Sequence, residues 1–183
     1  FPYSFLDGLD SLYKYASCHK TLDNTTVILL GAARYDSLAQ KRQVDKKMKY
    51  AIGIGINILD DEKIIEDISH RLSTAFPEYK VIIRAHPNWR KSIHIYNSNI
   101  SFTSAYDESI DVFLNKIDVL IANDSCIYLD AIKFQVPTLM YTFSKLGFSD
   151  QYSFVNSKLV KYIRSYEDLE KIIVDKSFYI PAD

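Results

Sequence analysis

The sequence predicts an α/β fold built on a doubly wound, mainly parallel sheet of about six strands. Three observations predict it. From residue 50 onward, short β-branched apolar runs alternate with amphipathic stretches, the rhythm of repeated βαβ units. The 183 residues, 48% hydrophobic and 25% charged, can bury one core but are few for two full domains. The polar residues least explained by packing follow directly after the apolar runs, where open parallel sheets hold their ligands.

Residues 1–48 read as the tail of a preceding domain and a linker, and residues 49–183 as the α/β domain. Within the tail, Thr26, Val27, Ile28, Leu29 and Leu30 have the character of a buried strand. The stretch 40–49 carries Lys41, Arg42, Lys46, Lys47 and Lys49 with few apolar residues, which suits a solvated connector or helix. Residues 50–57 form the first expected strand of the domain. A helix is expected over 60–76, with Asp60, Asp61 and Glu62 at its start favoured by the helix dipole, and with Ile64, Ile65, Ile68, Leu72 and Ala75 as its apolar stripe. Further strands are expected at 80–85, 99–103, 118–122, 137–142 and 159–164. Helices are expected at 108–116, burying Ile110, Phe113 and Leu114, and at 125–134 and 166–174. This succession fits the strand order 3-2-1-4-5-6 of a Rossmann-like domain, which puts the ligand at the carboxyl ends of strands one, two and four.

Composition narrows the functional classes. A net charge of −1 and an isoelectric point near 6.5 leave no cationic surplus for a nucleic-acid backbone. Cys18 and Cys126 belong to no ligand spacing, and His19, His70 and His94 lie far apart in sequence, so neither a metal nor a disulfide framework is expected. His70 falls on the polar side of its helix. No apolar run reaches the roughly 20 residues needed to span a bilayer, and no cleavable signal is evident. A cytoplasmic location is expected, with membrane association at most peripheral, at the inner face. Tyr and Phe number 14 and 10, and the chain opens on Phe1, which together suggest a piece of a longer protein. A hydrolase triad or a P-loop finds no matching pattern.

Three loops carry the candidate chemistry. After strand one stand Gly53, Gly55 and Asn57; glycines allow a ligand close to the backbone, and equally allow a strand to pack tightly on a helix. After strand two, Arg84-Ala85-His86-Pro87 places a guanidinium and an imidazole where Pro87 turns the chain out of the sheet. Both groups donate hydrogen bonds suited to phosphate oxygen, although a surface histidine and an ion-paired arginine would look the same. After strand four, Asp124 and Ser125 open a helix, as ligand groups at an anion-binding start or as plain N-caps. Asp130 lies among Ile127, Leu129, Ala131, Ile132 and Phe134, where a carboxylate calls for a partner such as ribose hydroxyls.

From Gly31 to about Tyr141 the chain resembles the C-terminal, donor-binding half of GT-B glycosyltransferases of the capsule and teichoic-acid type, a group that includes CDP-glycerol glycerophosphotransferases and sialyltransferase-like and Kdo-transferase-like proteins. Gly31-Ala32-Ala33-Arg34-Tyr35-Asp36 is similar to the segment that ends the N-terminal domain of that family, and Arg84-Ala85-His86-Pro87 to its His-Pro motif. Ser125 stands where the first serine of a Ser-Ser pair is found, and Asp130 where an acidic residue engages the donor ribose. Cys126 replaces the second serine, Asp130 the more common Glu, and Gln135 a glycine.

The resemblance implies one half of a GT-B fold and transfer from a nucleotide-activated sugar, or from a CDP- or CMP-linked donor, with no cofactor and no metal. His86 and Arg84 would act on the departing phosphate, and Gly53, Gly55, Asn57, Asp124, Ser125 and Asp130 would hold the donor. A saccharide or lipid-linked acceptor would be met through the missing N-terminal domain, without which the piece would be inactive, and the product would be a bacterial surface polysaccharide. A nucleotide-sugar epimerase on the same fold and a non-catalytic protein-interaction module are the alternatives.

Overall fold

A computed structural model describes residues 3–6, 13, 17, 26–29 and 50–178. The segment 31–36, the connector 40–49, Cys18 and His19 lie outside them. The chain divides into two compact units, residues 1–40 and 41–183. In the first, β1 (Tyr3–Leu6) and β2 (Thr26–Leu29) pair in parallel. The expected strand at 26–30 is present over Thr26–Leu29 but is not buried. With only one neighbouring strand, Val27 and Ile28 are half-covered while Thr26 and Leu29 are exposed.

The second unit holds β3 (Ala51–Ile56), α1 (Glu62–Ala75), β4 (Lys80–Ala85), β5 (Ile100–Ser104), α2 (Ile110–Lys116), β6 (Val119–Ala122), α3 (Ile127–Lys133), β7 (Thr138–Tyr141), β8 (Lys161–Ile163) and α4 (Tyr166–Asp175). Its six strands are all parallel in the order β5-β4-β3-β6-β7-β8, the expected Rossmann-like arrangement with a chain reversal beside β3.

Alternation along β3 shows how the layers form. Ile52, Ile54 and Ile56 point to one face and join Val81, Ile83, Val119, Ile121 and Leu139 in a core closed by Ile65, Ile68 and Leu72 of α1 and Leu169, Ile172 and Ile173 of α4. Gly53 and Gly55 point to the other face. A Cβ at position 53 would meet Ile117 Cδ1 at 2.5 Å and Phe113 Cζ at 3.0 Å, and one at position 55 would meet Ile127 Cδ1 at 3.3 Å. The glycines thus let α2, with the residue that follows it, and α3 lie close against the middle strand.

The buried side of α1 differs from the expected stripe. Ile65, Ile68, Ser69, Leu72 and Ser73 are buried while Ala75, the last residue of the helix and about 80° round from Ile65 at 100° per residue, is exposed. The two serines satisfy themselves locally, Ser69 Oγ donating to Ile65 O at 2.6 Å and Ser73 Oγ to His70 O at 3.0 Å.

Candidate functional site

The register carries the β3, β4 and β6 loops to one edge. Gly55 pairs with both Arg84 and Ala122, and Ile56 with Ala85, so Asn57 leaves the sheet level with His86 on one side and Asp124 on the other. Strands flanking a common neighbour lie about 10 Å apart, within reach of a diphosphate.

His86 is half-buried. Its backbone N–H donates to Ile56 O at 3.1 Å, and its Nδ1 accepts the Asn88 N–H at 3.1 Å. With Nδ1 used as an acceptor, the proton of the neutral ring sits on Nε2, which is then a donor. Asn57 Nδ2 donates to Asp124 O at 3.3 Å, joining the loops on either side of the strand-order reversal. Asp124 is buried; its Oδ2 accepts Ser149 Oγ at 3.1 Å and the Gln151 N–H at 2.5 Å, which ties in the long loop after β7. Its other oxygen, Oδ1, is buried without a hydrogen-bond partner.

The remaining expected residues stand differently. Arg84 faces the α2 side of the sheet and is only 7% exposed. Its Nη1 donates to Glu108 O at 3.0 Å and Ser104 O at 3.4 Å, and its guanidinium lies 5.5 Å from the Phe113 ring. Burial pushes its pKa down, with Glu108, Asp107 and Asp130 acting in the other direction. Arg84 thus clamps the β5–α2 loop, whereas His86 stands at the rim. The spaces beside Gly53 and Gly55 are filled by helix side chains, so packing accounts for both glycines.

The helix expected from residue 125 begins at Ile127, with Cys126 at the cap position and no side-chain capping bond. Cys126 has αR backbone angles, whereas a capping side chain works from extended backbone. Ser125 Oγ accepts the Ile127 N–H at 3.4 Å. The core side of α3 is Tyr128 and Ala131, and Asp130 is half-buried beside it, near enough to Arg84 to act on its charge. The helix is therefore less enclosed around Asp130 than its apolar sequence suggests, with Leu129 38% exposed.

Sequence reasoning placed Asp60 only as a helix-start carboxylate. Its side chain is fully buried, with Oδ2 accepting the Asn57 N–H at 2.6 Å and Oδ1 accepting Asn123 Nδ2 at 2.8 Å. Burial raises its pKa, opposed by the bonds from Asn57 and Asn123 and by the Lys91 charge. Lys91 Nζ donates to Asp60 O at 2.5 Å. The cap of α1 is Asp61, which accepts the Lys63 and Ile64 N–H groups at 3.1 and 3.3 Å and pairs with Lys145 at 2.6 Å. The only signal in the sequence was a doubled aspartate where one suffices for capping.

Among the described residues, no group of three His, Cys, Asp or Glu side chains is arranged to hold a metal ion, and no helix is long and apolar enough to cross a membrane.

A doubly wound α/β domain with its polar loops gathered at the strand-order reversal is the class defined by these features. Solved structures with this fold include the glycotransferase of kitacinnamycin, 11% identical with a TM-score of 0.52, covering 84% of this chain and 42% of that one. SnogD from Streptomyces nogalater is 11% identical with a TM-score of 0.53, over 83% and 39% of the two chains. CalG4, the calicheamicin glycosyltransferase, is 9% identical with a TM-score of 0.53, over 81% and 38%. The sheet and helices match domains of GT-B glycosyltransferases, and at these identities the likeness is one of fold. The chain spans about two fifths of the length of these structures. It matches no protein-family model and no curated protein.

Proposed function

We propose that this chain is the donor-binding half of a GT-B-type glycosyltransferase, or of a polyol-phosphate transferase, using a nucleotide-activated donor in bacterial surface polysaccharide synthesis. The observation that carries the reading is His86: its Nδ1 is taken by the Asn88 N–H, so Nε2 bears the proton at the rim shared by Asn57 and Asp124. Such a donor stabilises the negative charge that develops on a departing nucleotide phosphate, which is catalysis by fixed electrostatics and requires no metal. Ser125, next to Asp124 in the β6 loop, offers a hydroxyl as a second donor, its oxygen accepting the Ile127 N–H and its own O–H left to donate. Asp130 is the acidic group for donor ribose hydroxyls. Arg84 supports the site from behind through the β5–α2 loop. The acceptor, saccharide or lipid-linked, and the base that activates it belong to the opposite half of the cleft, at the inner face of the membrane, so the isolated chain binds nucleotide without turnover.

Calorimetric titration of CMP, CDP and UDP tests this. Saturable binding of at least one of them is expected, and His86→Ala weakens diphosphate binding by about ten-fold or more, as loss of a hydrogen bond to a charged group implies. CMP, with a single phosphate, loses less. Absence of saturable binding by all three would sink the reading and leave a non-catalytic interaction module in its place.

A further inference from the structure

Asp60 lies in the turn between β3 and α1, and that turn touches every loop at the carboxyl edge of the central strands. The Asp60 carboxylate takes the Asn57 N–H of its own loop and the Asn123 amide of the β6 loop. Its carbonyl takes Lys91 Nζ from the segment after β4. The Asp61 N–H donates to Phe143 O, at 2.8 Å, from the segment after β7. A fully buried carboxylate is costly unless its oxygens are bonded. Helix initiation does not call for Asp60, because Asp61 caps α1.

We propose that Asp60 is a positioning residue of the donor site: without touching the donor, it holds the loops that carry Asn57, His86 and Asp124 at the spacing a nucleotide diphosphate requires. This rests on the donor-binding reading above. Removing the carboxylate frees the β3 loop from the β6 loop, and the two sides of the phosphate site lose their registration. Asn57 is the first residue affected, since its N–H is held by Asp60 and its side-chain amide holds Asp124 O. An asparagine at position 60 keeps an acceptor for the Asn57 N–H but puts an NH2 group where the Asn123 amide had a carboxylate oxygen, so the charge-assisted bond is lost whichever way the Asn123 amide turns. Exchanging the two residues, Asp60→Asn with Asn123→Asp, again sets an amide donating to a carboxylate and restores the charged bridge.

The experiment compares wild type, Asp60→Asn and the exchanged pair by CDP and UDP titration and by amide hydrogen exchange. In Asp60→Asn, nucleotide affinity falls ten-fold or more and exchange quickens in segments 86–91 and 123–125 as well as in 57–61. The exchanged pair recovers most of both. Faster exchange confined to residues 57–61, or no recovery in the exchanged pair, overturns the assignment. If wild type binds neither nucleotide, the donor reading fails by itself, and the exchange pattern still decides whether Asp60 registers the loops. Should Asp60→Asn not fold, Asn123→Ala removes the same bridge from the other side, and unchanged exchange in segment 57–61 would then count against the proposal.

Discussion

A methyl group at position 53 meets two side chains that have nowhere to go. Ile117 and Phe113 are both fully buried, and their atoms would stand 2.5 Å and 3.0 Å from the new Cβ. Gly53→Ala is therefore expected to cost about 1–3 kcal/mol, the usual range for overpacking a close-packed interior. At Gly55 the nearest atom is 3.3 Å away and belongs to Ile127, which is only half-buried and can yield. Gly55→Ala should change stability by less than about 1 kcal/mol, because the modest crowding is offset by the reduced freedom of the unfolded chain. Urea unfolding at constant m-value distinguishes the two; equal costs would show that the closeness of α2 to β3 is not what position 53 answers to. The sequence displayed the spacing of these glycines but not which helix each faces, since that depends on a strand-order reversal lying outside any local window. The surroundings of Arg84 were hidden from the sequence for a related reason. The alternation Val81-Ile82-Ile83-Arg84 places it opposite Val81 and Ile83, on the α2 side, and the carbonyls it binds come from residues 20 and 24 positions later.

Helix starts show where local chemistry suffices. Ser165 has extended backbone and accepts the Asp168 N–H at 3.1 Å, an arrangement evident in the run Ser165-Tyr166-Glu167-Asp168. Ser165→Ala should destabilise the domain by about 1 kcal/mol, seen as a lower thermal midpoint. At α3 the corresponding gain is closed off: Cys126 sits in αR backbone, so Cys126→Ser cannot form the side-chain cap and should leave the midpoint where it is. A clear rise would mean that the α3 start is misplaced. The positions of the six strands and four helices in the main unit were legible because each apolar run is separated from the next by polar or turn-forming residues. The rotation of α1 was less so, for its buried face includes Ser69 and Ser73, and a hydroxyl that bonds to its own helix does not look apolar in a sequence.

Strand order across the whole unit followed from the rhythm of elements alone, whereas the bonds that lock its carboxyl edge did not. Asp60 and Asn123 are 63 residues apart, and nothing local marks them as partners. This network makes a distinct contribution to the pH dependence of stability. Bonding to Lys145 holds the Asp61 carboxyl below its ordinary range, and a backbone bond together with Lys91 does the same for Glu62. Glu66 is opposed by burial but is also held low by the His94 N–H and ring. For these three, stability is present above the ordinary carboxylate pKa and is lost as pH falls through the lowered folded values. Asp60 has the opposite sign. Burial raises its folded pKa, so its contribution is complete below the ordinary carboxylate pKa and is lost as pH rises through the raised value. Subtracting the unfolding free energies of Asp60→Asn from those of wild type removes the other three groups and leaves a constant offset for the misfitting amide. The difference should be flat below the ordinary carboxylate pKa and fall, to the disadvantage of wild type, as pH rises from there through the raised value. Urea unfolding at intervals across that range measures it. A difference that instead grows with pH would mean that the Asn57 and Asn123 bonds outweigh burial and hold Asp60 ionised from the start.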